Sequence, residues 1–316
     1  MIFPKLLFLF NSFVFMISIA MATYNGAKFI REQIDSILNQ TIQDFELVIC
    51  DDCSTDETLS ILKEYAKNDN RIRVYDNECN LGFKKNFENV IYKCKGDYIA
   101  LSDQDDIWLP KHLEILLNQM IGDTQLACGS QIFVNERNEE LPKKYDYLRK
   151  DFVPDNDEDM AHHIFLCRST YQGASMLLKK SFLDIALPIP EGAEFHDSWF
   201  AALACSAGGL TFVNEPVMRY RRIEDAVTSS NMKPTPARLF IASVLVDHSV
   251  KDRLTFIENI RKRLPGLSLE KEKLLNTFEK LLKRRNTIWG RIANVPYLIK
   301  HFKAIYCYDG KHLFTI

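Results

Sequence analysis

The sequence predicts an α/β fold, a mainly parallel sheet covered by helices on both faces. Two observations carry that expectation. Short apolar strand-like runs alternate four times with segments of helical period, and acidic turns follow the second and fourth runs. The first strand is read at 16–22, where "MISIAMA" leads into a polar turn. In "GAKFIREQIDSILNQ", Ile30, Ile34, Ile37 and Leu38 share one helical face. "FELVIC" is the second strand, and Ser54 with Glu57 has the spacing of a capping box opening a helix through Leu59, Leu62 and Tyr65. "RIRVY" is the third strand. A helix over 83–94 groups Phe83, Phe87, Val90 and Ile91, and "DYIALS" is the fourth strand. Pro110 then sits at the start of a helix carrying Leu113, Leu116, Leu117 and Met120.

The chain of 316 residues, 47% hydrophobic and 26% charged, is long enough for one large or two modest domains around a sizeable core. Its net charge of −2 conceals an asymmetry. From Lys233 onward there are 17 basic and 7 acidic residues, so the tail is the part suited to an anionic surface. The eight cysteines are scattered, several inside apolar runs (Cys50, Cys128, Cys167, Cys205), as in a reduced protein without a disulfide framework. Cys50 and Cys53 form a lone C-x-x-C, too little for a zinc site on spacing alone. Residues 1–15 are an apolar extension that imitates a signal peptide or an anchor. Cleavage after Ala22 would remove the first strand, so the extension is read as an anchor, an upstream-start artefact or a genuine extra segment.

In an open, mainly parallel sheet, ligands bind beyond the carboxyl ends of the strands. "DDCSTD" and "SDQDD" therefore emerge at one edge. Crowded carboxylates raise one another's pKa unless a cation sits among them, and hard oxygen ligands suit Mg²⁺ or Mn²⁺ carrying substrate phosphates. The plain alternative is that such acids make turns and cap helices, but capping needs one acid, whereas Asp103, Asp105 and Asp106 are three.

The stretch "ISIAMATYNGAKFIREQIDSILNQTIQDFELVICDDCSTDET", with "NLGFKKNFENVIYKCKGDYIALSDQDDIWLP" and later "FHDSW", resembles the family 2 glycosyltransferases of the GT-A fold. More narrowly it resembles the bacterial rhamnosyltransferase-like subgroup that builds O-antigen, capsule and related surface glycans. The resemblance runs from about Met16 to Ser230. It implies a GT-A domain over 16–232, followed by a basic helical region over 233–316. The implied activity is inverting transfer of a sugar from a nucleotide-diphosphate donor, UDP- or dTDP-linked, to a hydroxyl of a glycan or lipid-linked acceptor. The rival of another class is a catalytically silent sugar-nucleotide-binding or scaffold protein of the same fold.

The same resemblance assigns roles. Ala22, Thr23 and Tyr24 would contact the nucleotide, and Asp52 would accept an N–H of the base. Asp103 would approach the ribose or the metal, Asp105 would coordinate the Mg²⁺ or Mn²⁺, and Asp106 would support both. Lys84 or Lys85 could reach phosphate. An inverting transfer needs a base for the acceptor proton, and "HDSW" matches the motif whose acid plays that part, here Asp197. His196 and Trp199 would face the acceptor. Physics alone reads Asp197 as an acid favourable to a helix N-terminus and Trp199 as core. One departure stands out: where relatives carry a histidine after the Tyr-Arg pattern, this chain has Ile223, so the metal is expected to be weakly held, with Arg221 or Arg222 neutralising the diphosphate.

The tail segment "LLKRRNTIWGRIANVPYLIKHFKAIYCY" combines basic and aromatic residues, as segments lying on anionic membranes do. Peripheral attachment at the cytoplasmic face of the cell membrane is expected, with a packed helical hairpin as the alternative. Nucleic acid is not an expected partner, because no recognition motif accompanies the charge. A receiver-type phosphoacceptor also carries paired acids after its strands, but it is much shorter and lacks "HDSW".

Overall fold

The computed structural model describes residues 15–141, 157–166, 171–222, 250–301 and 305. The extension before Phe15, Cys167, Ile223 and most of the loop over 141–160 lie outside the described residues. The alternation read from the sequence is realised: β1 (Ile17–Thr23), α1 (Ile30–Leu38), β2 (Phe45–Asp51), α2 (Thr58–Asn68), β3 (Ile72–Asp76), α3 (Phe83–Lys93), β4 (Tyr98–Ser102), and α4 (His112–Leu117) after a short strand, β5 (Ile107–Trp108). The chain continues through β6 (Leu126–Val134), α5 (Asp157–Leu166), β7 (Met176–Lys179), α6 (Lys180–Ala186), α7 (His196–Ala207) and β8 (Leu210–Arg221). Three further helices, α8 (Val250–Arg263), α9 (Leu269–Arg284) and α10 (Ile288–Lys300), form the helical C-terminal region.

One eight-stranded sheet has the order β3-β2-β1-β4-β7-β6-β8-β5. The strands β3, β2, β1 and β4 are parallel neighbours, β6 and β8 run the same way, and only β7 and β5 are reversed. Both faces are covered, and the period of two sorts the side chains between them. Ile17, Ile19, Met21, Leu47 and Ile49 pack beneath α1, α2 and α4, while Ala20, Val48, Cys50, Ile99 and Leu101 join α3, α5, α6 and α7 on the other face. That second core extends without a break into the C-terminal helices through Phe256, Ile257, Phe278 and Leu282.

Some local expectations change. Ser54 and Glu57 form no capping box: α2 begins at Thr58 with no side-chain cap, because Ser54 Oγ is drawn to Asp51 Oδ1 at 2.7 Å and accepts the Asn25 N–H at 2.9 Å. Asp56 serves the turn instead, accepting from the N–H of Thr58 (3.0 Å) and of Ala27 (3.1 Å). Pro110 precedes the first helical residue by two, since β5 interposes and pairs with β8. Phe83 is exposed and packs towards Phe195, with ring centroids 5.8 Å apart, instead of joining the core. None of the described cysteines is in a disulfide, and burial pushes the Cys50 thiol up to about 11.

His112 opens α4 against β5 and β8. Its ring stacks on Trp108 with centroids 3.7 Å apart and planes within 7°, and its Nδ1 lies 3.0 Å from the Val217 carbonyl. A carbonyl only accepts, so Nδ1 carries the proton and donates. Burial pushes the imidazole down to about 3. Between that value and the unfolded value of about 6.5, the unfolded chain binds a proton that the folded chain refuses, so stability is lost as pH falls through this window. We expect urea titrations to show His112 contributing a loss of about 1.4 kcal/mol per pH unit there, and His112→Phe, which keeps the ring stack, to flatten that slope.

Candidate active site

The carboxyl ends of β1, β2 and β4 deliver the acidic turns to one edge, since Thr23 pairs with Asp51 and Met21 with Ser102 in parallel register. At the first turn, Ala22 is half-buried, Thr23 is buried with its Oγ1 donating to Asp51 Oδ1 at 2.8 Å, and Tyr24 is exposed. Gln104, the middle residue of the D-x-D, locks this turn to the fourth-strand turn. Its Oε1 accepts the Tyr24 N–H and its Nε2 donates to the Tyr24 carbonyl, both at 2.9 Å. Sequence reasoning missed Gln104, although it lies inside the motif that drew attention.

Asp52 does not stand open towards a ligand. It is 2% exposed, and its carboxylate accepts from Asn77 Nδ2 and from the N–H groups of Leu81 and Gly82, each at 2.8 Å. A carboxylate has about four acceptor positions, so one remains, on Oδ2. The acid that was expected to read a base thus first organises the 77–82 loop.

Asp103 and Asp105 are half-buried and Asp106 is buried. Burial pushes Asp103 up to about 7, helped by the charges of Asp105 and Asp197. Burial also raises Asp105, against the pull of Arg221, and it raises Asp106 strongly, with Asp105 and Asp103 adding to it. Asp106 Oδ1 accepts the Arg221 N–H at 2.9 Å, whereas its Oδ2 is buried without a partner. This edge therefore carries negative charge that the described side chains leave largely uncompensated, with a spare buried oxygen, and such a donor set fits a hard divalent cation. The acids do not converge as a three-ligand cage. Mg²⁺ and Mn²⁺ sites that use one or two carboxylates and phosphate oxygens need none.

The start of α7 lies near enough to this edge for the Asp197 charge to help raise Asp103. Asp197 Oδ2 accepts the Gly173 N–H at 3.3 Å, and Oδ1 accepts the Ser198 N–H at 2.5 Å. Gly173 lies in the turn of "YQGASM" before β7, and a Cβ there would stand 2.8 Å from His196 Nε2 and 3.4 Å from Asp197 Cβ. Only glycine lets that backbone approach the helix start so closely.

Three expectations are corrected by burial. His196 is 7% exposed, stacked on Phe87 at 4.1 Å, its imidazole pushed down by burial, so it lines the inside of the helix start and offers no acceptor surface. Trp199 is fully buried, with Nε1 donating to the Ala186 carbonyl at 2.8 Å and its ring against Phe256 and the Arg263 guanidinium, so it is no platform for a sugar. Arg221 is 3% exposed and occupied: Nε donates to the Asp105 carbonyl at 2.8 Å, Nη1 to the Glu136 carbonyl at 2.7 Å and Nη2 to Glu32, while the guanidinium covers the Phe29 ring at 4.5 Å. It clamps the acidic turn and does not reach out for a diphosphate. Lys84 and Lys85 already have partners: Lys84 Nζ donates to the carbonyls of Glu191 and Ala193, and Lys85 pairs with Glu88.

Comparison with known proteins gives a consistent outcome. The model of the family described as glycosyl transferase family 2 matches residues 18–183. An uncharacterized glycosyltransferase of Methanocaldococcus jannaschii is 36% identical over 218 residues, which are 65% of this chain and 70% of that protein. A chondroitin synthase of Escherichia coli is 38% identical over 39% of this chain, and an O-antigen biosynthesis glycosyltransferase of Escherichia coli is 38% identical over 42%. The matched segments span only 17% and 52% of those two proteins. Among solved structures, S. aureus TarS in complex with UDP-GlcNAc superposes with a TM-score of 0.54 at 17% identity, covering 91% of both chains. A mannosyltransferase from Pyrobaculum calidifontis, in complex with GDP-Man and Mn²⁺, gives 0.54 at 15% identity, covering 89% of this chain and 87% of that one. At such identities the likeness speaks for the fold, which is the GT-A arrangement of a mostly parallel sheet flanked by helices.

The clamp can be separated from ligand binding by experiment. Arg221→Met strands two backbone carbonyls and should cost about 2–4 kcal/mol of stability in urea titrations. Glu32→Gln, at a half-exposed partner, should cost less than about 1 kcal/mol.

Proposed function

The chain belongs to glycosyl transferase family 2, and from that premise we propose an inverting glycosyltransferase of the rhamnosyltransferase-like subgroup. It transfers a sugar from a nucleotide-diphosphate donor, UDP- or dTDP-linked, to a hydroxyl of a glycan or lipid-linked acceptor in bacterial surface polysaccharide synthesis. What supports this reading is that Asp197, held by the N–H groups of Gly173 and Ser198, lies near enough to the acidic turn for its charge to help raise Asp103.

In this mechanism Asp197 takes the proton of the acceptor hydroxyl while its oxygen bonds to the anomeric carbon. The bond from that carbon to the diphosphate breaks, its electron pair leaves with the diphosphate, and attack from the opposite side inverts the centre. Asp105, with Asp103, would hold the Mg²⁺ or Mn²⁺, which when bound neutralises charge on the leaving group. Thr23 and Tyr24 border the nucleoside together with the last free acceptor position of Asp52. Since Arg221 is committed to the clamp, the diphosphate falls to Arg222, a half-exposed cation beside it. Ile223 lies outside the described residues, and no described feature favours a catalytically silent scaffold.

Residues 16–232 carry this chemistry, and 233–316 bring the enzyme to its acceptor at the inner face of the membrane. Among the described residues no helix is long and apolar enough to cross a bilayer. What supports peripheral contact is α10, where Trp289, Ile292 and Ile299 are exposed on a helix that ends in Lys300 and follows Lys283 and Arg284. Apolar side chains flanked by cations are the pattern of an interfacial helix.

Incubation with a panel of nucleotide sugars, Mn²⁺ and candidate acceptors should give release of nucleotide diphosphate. Asp197→Asn should lower kcat by about 10²–10⁴-fold while donor affinity, followed by calorimetry, stays within a few-fold. Unchanged turnover in that variant would remove Asp197 as the base. Separately, the full chain should sediment with phosphatidylglycerol vesicles and lose that binding in Trp289→Asp/Ile292→Asp; equal sedimentation of both proteins would refute the membrane face.

A further inference from the structure

We propose that the chain carries a second metal site, away from the acidic turn, in which Glu158 and His162 of α5 together with His301 beyond α10 bind a Zn²⁺-class cation beside Tyr297. The carboxylate and the two imidazoles bring their ligand atoms within 4.8 Å of one another. The spacing is built in: Glu158 and His162 are i and i+4 on α5, and Tyr297 and His301 are i and i+4 at the end of α10, so each helix presents one pair on one face. Paired side chains from facing helices are a known way to build a metal centre inside a helical layer.

The tautomer of His162 is set for ligation. Its Nδ1 lies 2.7 Å from the Glu158 carbonyl, which only accepts, so Nδ1 carries the proton. Nε2 then carries the lone pair, which accepts the Tyr297 hydroxyl at 2.9 Å, and an ion would take that hydroxyl's place. A ligand histidine held by a backbone carbonyl through its other nitrogen is the usual outer-shell arrangement of a metal site. His162 is fully buried and fixed, stacked on His301 with ring centroids 4.3 Å apart. Tetrahedral bonds of about 2.0–2.1 Å need ligand atoms roughly 3.3 Å apart, and the exposed Glu158 and the half-buried His301 can turn to close that gap. Two imidazoles and one carboxylate favour Zn²⁺ over Mg²⁺, with water in the fourth position, since burial pushes the Tyr297 phenol up to about 12 and keeps it protonated. A bound ion would staple α5 to the end of α10, and so tie the catalytic core to the helix with the exposed apolar face.

The test uses the full chain carrying Asp105→Asn, stripped with chelator, with ZnCl₂ alone as the probe. Calorimetry should find one Zn²⁺ per chain, and the metal should raise Tm by a few degrees. Co²⁺ in place of Zn²⁺ should give visible absorption from a low-coordinate site. Adding Glu158→Gln or His301→Ala, both outside the buried core, should weaken Zn²⁺ at least tenfold and abolish the Tm rise. Absence of binding in the Asp105→Asn protein, or undiminished binding in both added variants, overturns the proposal.

Discussion

A single buried guanidinium holds the reactive edge together. Arg221 ends β8 and ties α1 through Glu32, the acidic turn through the Asp105 carbonyl, and the turn after β6 through the Glu136 carbonyl. Its own N–H is received by Asp106. Three chain segments distant in sequence are thus fixed relative to one cation. Removing water from an ion is expensive unless every donor is satisfied, and each nitrogen of this side chain has an acceptor. The positive charge also sits where the acids need it, close enough to oppose the rise of Asp105 and Asp106.

That clamp offsets only part of the repulsion, and the remainder is what makes the edge a site. Asp103 and Asp106 stay raised chiefly because they are buried and next because neighbouring acids face them, while Arg221 offsets only part of the rise at Asp106. The protein keeps three acids in a geometry that its own cations do not neutralise, a local conflict of the kind that stable folds tolerate mainly where they bind something. Gln104 adds rigidity by joining the β1 turn to the β4 turn through both of its amide atoms. Gly173 adds proximity by admitting the β7 turn to the start of α7.

Much of this was legible in the residues, and the parts that were not share a cause. Alternating periods reveal which segments are strands and helices, because burial on two faces writes a repeat into the chain. Asp103, Asp105 and Asp106 could be singled out because carboxylates are rarely crowded without reason, whereas Asp197 was reached only through the resemblance. Whether a polar or aromatic side chain points inward depends on packing that no local pattern records. Trp199 and His196 lie in an apolar helix start and were drawn outward only by the resemblance, whereas burial claims both. Arg221 and Arg222 are adjacent and chemically alike, yet the last residue of β8 is buried and the one just beyond it half-exposed. Ser54 likewise had the right spacing for a cap, but Asp51 competes for its hydroxyl with shorter reach.

The covering of α7 has a consequence for how the protein is made. Trp199 meets Phe256, and Arg263 binds the carbonyls of Ile185, Ala186 and Pro188 beside the same ring. Phe165 stacks in turn on Phe278. As the chain leaves the ribosome, every residue of the sheet emerges before these partners do. The helix that carries Asp197 must therefore wait, with one apolar side uncovered, until α8 and α9 follow. Such a surface is a natural target for chaperones and for aggregation during synthesis, so a product interrupted after β8 would hold all the reactive acids and still lack the support that orders them.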